Sequence, residues 1–366
     1  MRATPDELLS QVCALATDQP GDVRAVVTRA VDRSAPLATD DERARLIEAA
    51  VARLDGLDVL QGHLADDRVD EILVNRGTEV WVERDGRLRL VDRLPDGAIE
   101  VVLQRILAPT GRRLDRTTPI IDTRLPDGSR VCAAVAPVAV DGTVVAIRRH
   151  RHRHLPLEMF AGPEVVALVG ELVDRRSNVL VTGATSSGKT TLLGAALADV
   201  SDEERLVVIE DTTELAFAGR HVVRLEARPA TADGVRAVDT DELVRTALRL
   251  RPDRLVVGEF RGTEALAVVQ ALNTGHAGSW ATCHANGALD GLRRLSSLVL
   301  QAAPSWPMSS IRDQVTRSID AVVHVRRDAT GRTVDHVVEP VPGGGEPAGR
   351  DLVRGGRVVA TPERRR

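Results

Sequence analysis

The run Gly183-Ala184-Thr185-Ser186-Ser187-Gly188-Lys189-Thr190 constrains this chain more than any other feature. It follows the apolar stretch Val179-Leu180-Val181 and precedes a segment from Thr190 to Leu197 with helical texture. That strand–loop–helix setting is the one in which G-x-x-x-x-G-K-[ST] binds phosphate. The glycines let the backbone close around anionic oxygens, with N–H groups and the positive end of the helix pointing at them. On this reading Gly183, Ala184, Thr185, Ser186, Ser187, Gly188, Lys189, Thr190 and Thr191 hold a nucleotide. Lys189 neutralises the β- and γ-phosphates, and the Thr190 hydroxyl ligates Mg²⁺. A glycine-rich turn without a ligand would need neither the strand before it nor the helix after it.

The surroundings of this loop repeat the alternation. A helix is predicted from Pro163 to Val173, and apolar strands from Leu206 to Ile209 and from Leu255 to Val257. Continuous apolar strands separated by helices indicate a parallel sheet covered on both faces, an α/β architecture. The first 150 residues read differently. Leu8, Leu9, Val12, Leu15 and then Leu46, Ile47, Ala50, Val51, Leu54 recur at helical steps. Val69 to Val91 and Arg124 to Arg148 are strand-rich with Asp-Gly turns, and a helix is predicted from Gly97 to about Pro109. The expected organisation is a helical segment 1–60, an α+β domain 61–148, a basic linker 149–162, an α/β domain 163–327 and a partly flexible tail 328–366 with two possible short strands. The linker is placed at Arg148-Arg-His-Arg-His-Arg-His154, the densest charge run, which reads as a solvated hinge.

Charge and composition narrow the function. Forty-nine Lys+Arg against 53 Asp+Glu give a net charge of −4, which offers no global attraction to nucleic acid. Three Trp, three Phe and no Tyr leave few stacking platforms for single strands. Cys13, Cys132 and Cys283 are odd in number and lack C-x-x-C spacing, which fits a reducing compartment. No apolar stretch resembles an export signal or a span of about 20 apolar residues, so a cytoplasmic chain is expected, with any membrane role exerted through a partner.

Two further strands end in acids. Arg254-Leu-Val-Val-Gly-Glu259 delivers Glu259 to the strand edge where α/β sheets bind ligands. Leu206-Val-Val-Ile-Glu210-Asp211 could supply either a contact to Mg²⁺-bound water or the general base. The segment from Thr274 to Asn286 carries His276 and His284 among small and hydroxyl residues. It suggests a polar loop and strand facing the site, with a metal site as the competing idea but no third ligand of matching spacing.

These motifs, in this order, resemble the secretion-superfamily traffic ATPases of type II and type IV systems. The stretches carrying the resemblance are the P-loop, Val208 to Leu215, Arg251 to Arg261, and the Thr-Gly-His and Thr-Cys-His-Ala-Asn blocks. Arg112-Arg113-Leu-Asp-Arg and Leu125-Pro-Asp-Gly-Ser-Arg130-Val131 resemble the Tad (Flp, CpaF-like) pilus-assembly branch. The resemblance implies a RecA-like P-loop NTPase domain preceded by the smaller α+β domain, with ATP and Mg²⁺ bound. It makes Lys189 and Thr190 the Walker A pair, Glu259 the catalytic acid, Glu210 and Asp211 an aspartate box with Asp211 near the metal, and His276 and His284 a histidine box. Arg130 and Arg148 would reach the nucleotide from the first domain. Ala277 stands where the family usually has an acid, and Phe260-Arg261-Gly262-Thr263 varies the residues after the catalytic acid. A homohexameric ring, peripheral to the inner face of the cell membrane and coupled to a platform protein for pilus assembly or protein secretion, is the implied assembly. A conjugation motor and a nucleotide-gated scaffold with little turnover are the alternatives.

Overall fold

The computed structural model describes residues 4–17, 19–84, 86–149, 155–215, 217, 219–230, 234–328, 331–343 and 345–363. The chain divides into two compact units: Met1–His150 with Thr231–Gly234, and Arg151–Ala230 with Val235–Arg366.

The first unit begins with α1 (Pro5–Ala16), α2 (Val23–Ser34) and α3 (Asp40–Asp55). Thr4 and Thr39 open α1 and α3 with reciprocal Thr–Glu capping boxes that satisfy otherwise unpaired N–H groups. Val12, Val27, Val31 and Ala50 form the core between the three helices. After α4 (Val59–Ala65) come β1 (Val69–Asn75), β2 (Glu79–Arg84), β3 (Arg87–Arg93), α5 (Ala98–Leu107), β4 (Ile120–Arg124), β5 (Arg130–Ala134) and β6 (Val144–Arg148). The sheet order is β3-β2-β1-β6-β5-β4, antiparallel throughout. α5 buries Ile99, Val102, Leu103 and Ile106 in one cluster with Ile72, Val82, Val131 and Ile147 of the strands. Arg105 of α5 donates to the carbonyls of Arg53, Leu54 and Gly56, fastening the end of α3 to the sheet domain.

The second unit contains α6 (Pro163–Asp174), β7 (Val179–Gly183), α7 (Lys189–Ala196), β8 (Leu206–Glu210), β9 (Val222–Glu226), α8 (Thr240–Ala247), β10 (Arg254–Val257), α9 (Glu264–Asn273), β11 (Trp280–His284), α10 (Ala288–Ala302) and α11 (Met308–Ser318). It ends in β12 (Ala321–Asp328), β13 (Gly331–Val341), β14 (Ala348–Arg354) and β15 (Arg357–Val358). The nine-stranded order is β15-β14-β13-β12-β7-β11-β10-β8-β9. From β12 to β9 the pairings are parallel, and from β12 to β15 they are antiparallel. Strand residues alternate between two cores. Val179, Val181 and Val208 pack with Val165 of α6 and Leu192 of α7, whereas Leu180, Val207 and Ile209 pack with Leu243 of α8, Ala265 of α9 and Leu292 of α10.

Two regions differ from the sequence reading. Residues 331–358, expected in a tail, are β13 to β15 of the main sheet, and Val334, Val337, Leu352 and Val353 are fully buried. The Pro/Gly-rich stretch 340–347 hid this, because it is a connection between two long strands rather than the start of a loose end. Within the basic run, Arg149 is not a solvated residue. Its N–H donates to Asp70 O at 3.0 Å and its guanidinium to Asp66 O at 2.6 Å, so it prolongs the edge of the first unit. His150 to His154, including Arg151 and Arg153, lie outside the described residues, as does the terminal Arg364-Arg365-Arg366. Among the described residues no helix is long and apolar enough to cross a membrane.

Candidate nucleotide site

Register brings the sequence motifs to one edge of the second sheet. His284 pairs with Gly183 across β11 and β7, and Val257 pairs with both Ala281 and Ile209. The P-loop, His284, Glu259 and Glu210 therefore all leave the carboxyl ends of neighbouring parallel strands.

The loop after β7 is shaped for an anion. A Cβ at Gly183 would lie 2.5 Å from Ser187 Oγ and from the Val325 carbonyl oxygen, which excludes a side chain, and one at Gly188 would lie 2.7 Å from Arg332 Cδ and have to push that side chain aside. Gly188 also caps α7 at φ 98°, a left-handed conformation that glycine adopts without strain. Ser187 Oγ is buried with no hydrogen-bond partner. These features fit a nucleotide's phosphates, which would supply acceptors to an orphaned donor and to the open N-terminus of α7. Thr190 follows in the first helical turn and is half-buried. Among the described residues no group of three or more His, Cys, Asp or Glu side chains could hold a metal alone. A Mg²⁺ held by the Thr190 hydroxyl, phosphate oxygens and water needs no such cage.

A chain of charged groups crosses the site. Lys189 Nζ donates to Ala184 O at 3.0 Å and lies 3.0 Å from His284 Nδ1. His284 Nε2 lies 2.5 Å from Glu259 Oε1. Glu259 Oε2 accepts from Arg261 Nε at 2.9 Å, and a second guanidinium nitrogen of Arg261 reaches Asp211 Oδ2 at 2.9 Å. A neutral His284 accepts from the ammonium at Nδ1, while its Nε2 stands close to Glu259 Oε1 without the geometry of a hydrogen bond, which leaves that buried oxygen unpaired. Burial pushes the His284 pKa down despite Glu259, in keeping with that neutral form. Burial likewise lowers the pKa of Lys189, with Glu259 opposing it.

Glu210 sits beside this chain and outside it. It is 3% exposed, and its Oε1 accepts from the backbone N–H groups of Glu214 and Leu215 at 2.9 and 3.0 Å. Its carboxyl thus folds the loop after β8. Burial raises its pKa to about 7, above what the two N–H donors recover. Gly258 is required for this approach, since a Cβ there would stand 2.8 Å from Glu210 Cγ.

His276 is not brought to this edge. It precedes β11 whereas His284 ends it, and a parallel strand of five residues at about 3.3 Å each puts the two at opposite edges of the sheet. Its Nδ1 lies 3.2 Å from Ala271 O at the end of α9. The small and hydroxyl residues between the histidines serve the strand itself, as when Thr282 Oγ1 donates to Gly258 O at 2.6 Å. Arg130 and Arg148 belong to the first unit, where they stand opposite each other in the register of β5 and β6. Both project from the sheet face away from Val131 and Ile147 and their core.

Three features of the site escaped the sequence reading. Arg261 looked like a variation after the acid, yet it is the residue that joins Glu259 to Asp211. Glu264 is buried and its Oε1 accepts from the N–H groups of Arg261 and Gly262, fixing the turn that carries Arg261. The third was countable: Lys189 is the only lysine in the chain, every other basic side chain of the Lys/Arg pair being arginine. A compact ammonium at this one position is what a phosphate-binding loop uses in place of a planar guanidinium.

A parallel sheet with a phosphate loop at one strand end, and an acid from the next strand but one linked to its lysine through a histidine, defines a P-loop ATPase. The chain belongs to the type II/IV secretion system protein family, whose model matches residues 55–341. A Mycobacterium tuberculosis protein named for conjugal transfer is 37% identical over 295 residues, covering 76% of this chain and 82% of its own length. The conjugal transfer protein TrbB of Rhizobium radiobacter is 33% identical over 284 residues, covering 75% and 84%. The type IV secretion system protein PtlH of Bordetella pertussis is 33% identical over 309 residues, covering 75% and 90%. The pilus retraction motor PilT, solved with bound ADP, shares the fold at a TM-score of 0.57 and 18% identity over 82% of this chain and 83% of its own.

Proposed function

We propose that this secretion-system ATPase hydrolyses ATP with Mg²⁺ to drive pilin subunits or secreted protein through an inner-membrane platform, working as a homohexameric ring on the cytoplasmic side. The observation that carries the chemistry is the Lys189–His284–Glu259–Arg261 chain at the P-loop edge. When ATP enters, its phosphates offer Lys189 better acceptors than a carbonyl and an imidazole. His284 then loses the ammonium from Nδ1, and Glu259 is left as the group that orients and deprotonates water. Bound Mg²⁺ would neutralise charge on the phosphates. Glu210 organises the 210–215 loop in this scheme and does not act on water. Contact with the nucleotide by Arg130 and Arg148, which the family resemblance implies, is kept as part of this proposal.

The cargo reading draws on the resemblance of Leu125 to Val131 and Arg112 to Arg116 to the pilus-assembly branch. A second reading, a conjugation motor, is favoured by the names of the Mycobacterium and Rhizobium relatives. The experiment compares steady-state ATPase activity of the full-length protein alone, with membrane vesicles containing an inner-membrane platform protein of a secretion or pilus system, and with single-stranded DNA. Stimulation by the platform vesicles alone supports secretion or pilus assembly. Stimulation by DNA alone favours conjugation, and absence of turnover in every case rejects the motor.

A further inference from the structure

The hairpin of β12 and β13 runs past the end of β7 and lies along the P-loop. Val325 pairs with Gly183, so Arg326, Arg327 and Asp328 continue beside residues 184–188, and Arg327 pairs with Arg332 on the returning strand. Each of the two arginines meets the loop. An Arg327 guanidinium nitrogen donates to Ser186 O at 3.4 Å. The Arg332 side chain passes over Gly188, with Cδ and Nε 2.7 and 3.1 Å from where a Cβ would stand. Phe160 borders the same point at 3.3 Å, and its carbonyl accepts from Val334 N–H at 2.8 Å, which ties the hairpin to the segment before α6. Arg326 pairs with Asp328 and Asp335.

Ser186 has φ 59°, a left-handed conformation that costs a non-glycine residue energy unless its surroundings hold it. The Arg327 contact falls on the carbonyl of that residue. Gly188 is the N-cap of α7, where the phosphate chain of a nucleotide meets the helix. A guanidinium held over it stays charged at all working pH and can grip phosphate oxygens with parallel N–H donors.

We propose that this hairpin is a wall of the nucleotide site, with Arg332 binding the phosphate chain and Arg327 holding the outer turn of the P-loop in its receptive shape. Both are positioning residues for a reaction performed elsewhere in the site, so their loss falls on affinity and not on chemistry. The test uses the full-length protein with Mg²⁺ and mant-ADP as the probe, together with ATP turnover at saturating substrate. Arg332→Gln is expected to weaken mant-ADP about tenfold and raise the KM for ATP in step, with kcat within about twofold. Arg332→Lys, which restores the charge, recovers most of the affinity. Arg327→Ala gives a smaller loss of the same kind, and Arg326→Ala, which only breaks ion pairs within the hairpin, binds as wild type. Wild-type affinity in Arg332→Gln overturns the proposal. So does equal weakening in Arg332→Lys and Arg332→Gln, or in Arg326→Ala, because either would trace the effect to hairpin packing and not to a phosphate contact.

Discussion

β8 and β10 are neighbours in one sheet, both wholly buried, and each delivers a glutamate to the same edge, yet the two carboxyls have opposite fates. Glu210 is the last residue of its strand and turns inward under its own loop, where two backbone N–H groups hold it and burial raises its pKa to about 7. Glu259 comes two residues after its strand ends at Val257, beyond Gly258, and that extension carries it out to His284 and Arg261. The same residue type at the same edge is tucked under its own loop or set beside His284 and Arg261 according to how far past the strand it stands. Glycine at 258 admits Glu210 beneath it.

The largest expected effect separates the two sides at the lysine. Lys189→Ala should bring ATP turnover down by at least about 100-fold, because the phosphates lose their point charge and the Glu259 chain loses its anchor, while circular dichroism and the Glu210 loop stay unchanged. Steady-state ATPase activity beside thermal melting reads both; near wild-type turnover would detach Lys189 from the chemistry. Arg261 holds Glu259 directly and touches the other side only through Asp211. Arg261→Ala should lower kcat roughly tenfold by letting that carboxylate drift, with stability little altered.

Glu210 should answer to pH instead. Its folded pKa of about 7 exceeds the ordinary 4.5, so the folded chain favours the protonated form. The stability it contributes is present in full below 4.5 and is lost as pH rises through about 7. Gln at this position keeps a carbonyl oxygen for Glu214 and Leu215 and never ionises. Glu210→Gln should therefore stabilise the protein by up to about 3 kcal/mol at pH 8 and not at pH 4.5, read from melting curves at the two pH values. A stabilisation that is the same at both would place the charge in water.

The smallest effect is spectroscopic and uses the single lysine. Protein labelled with ¹³C,¹⁵N-lysine has one lysine side-chain signal, and its titration should fall below the ordinary 10.5. Glu259→Gln should lower it further, since Glu259 favours the ammonium, and Glu210→Gln should leave it in place. An equal response to both substitutions would erase the distinction between the two acids.

Much of this site was legible in the chain because its motifs are local. The P-loop and the two acid-ended strands are contiguous runs, each reporting its own strand, turn and helix. What the sequence concealed depends on pairing. Which glutamate is held by its own loop and which reaches His284 and Arg261 follows from how far each stands past the end of its strand, β8 or β10. The separation of His276 from His284 follows from β11 lying between them as a strand. Arg261 reads as a substitution until Asp211, 50 positions earlier, is found beside it. The strands after residue 330 were obscured because their partners lie across the hairpin and because Pro342-Gly343 looks like the end of a domain.

The central claim is that Glu259 acts on water and Glu210 does not. Single-turnover hydrolysis of ATP, with mant-ATP binding measured on the same preparations of Glu259→Gln and Glu210→Gln, tests it most directly. The account predicts that Glu259→Gln binds within a few-fold of wild type and hydrolyses about 100-fold or more slowly, while Glu210→Gln binds and hydrolyses within a few-fold. A Glu210→Gln protein that binds ATP normally and cannot cleave it, beside a Glu259→Gln protein that can, would contradict the account.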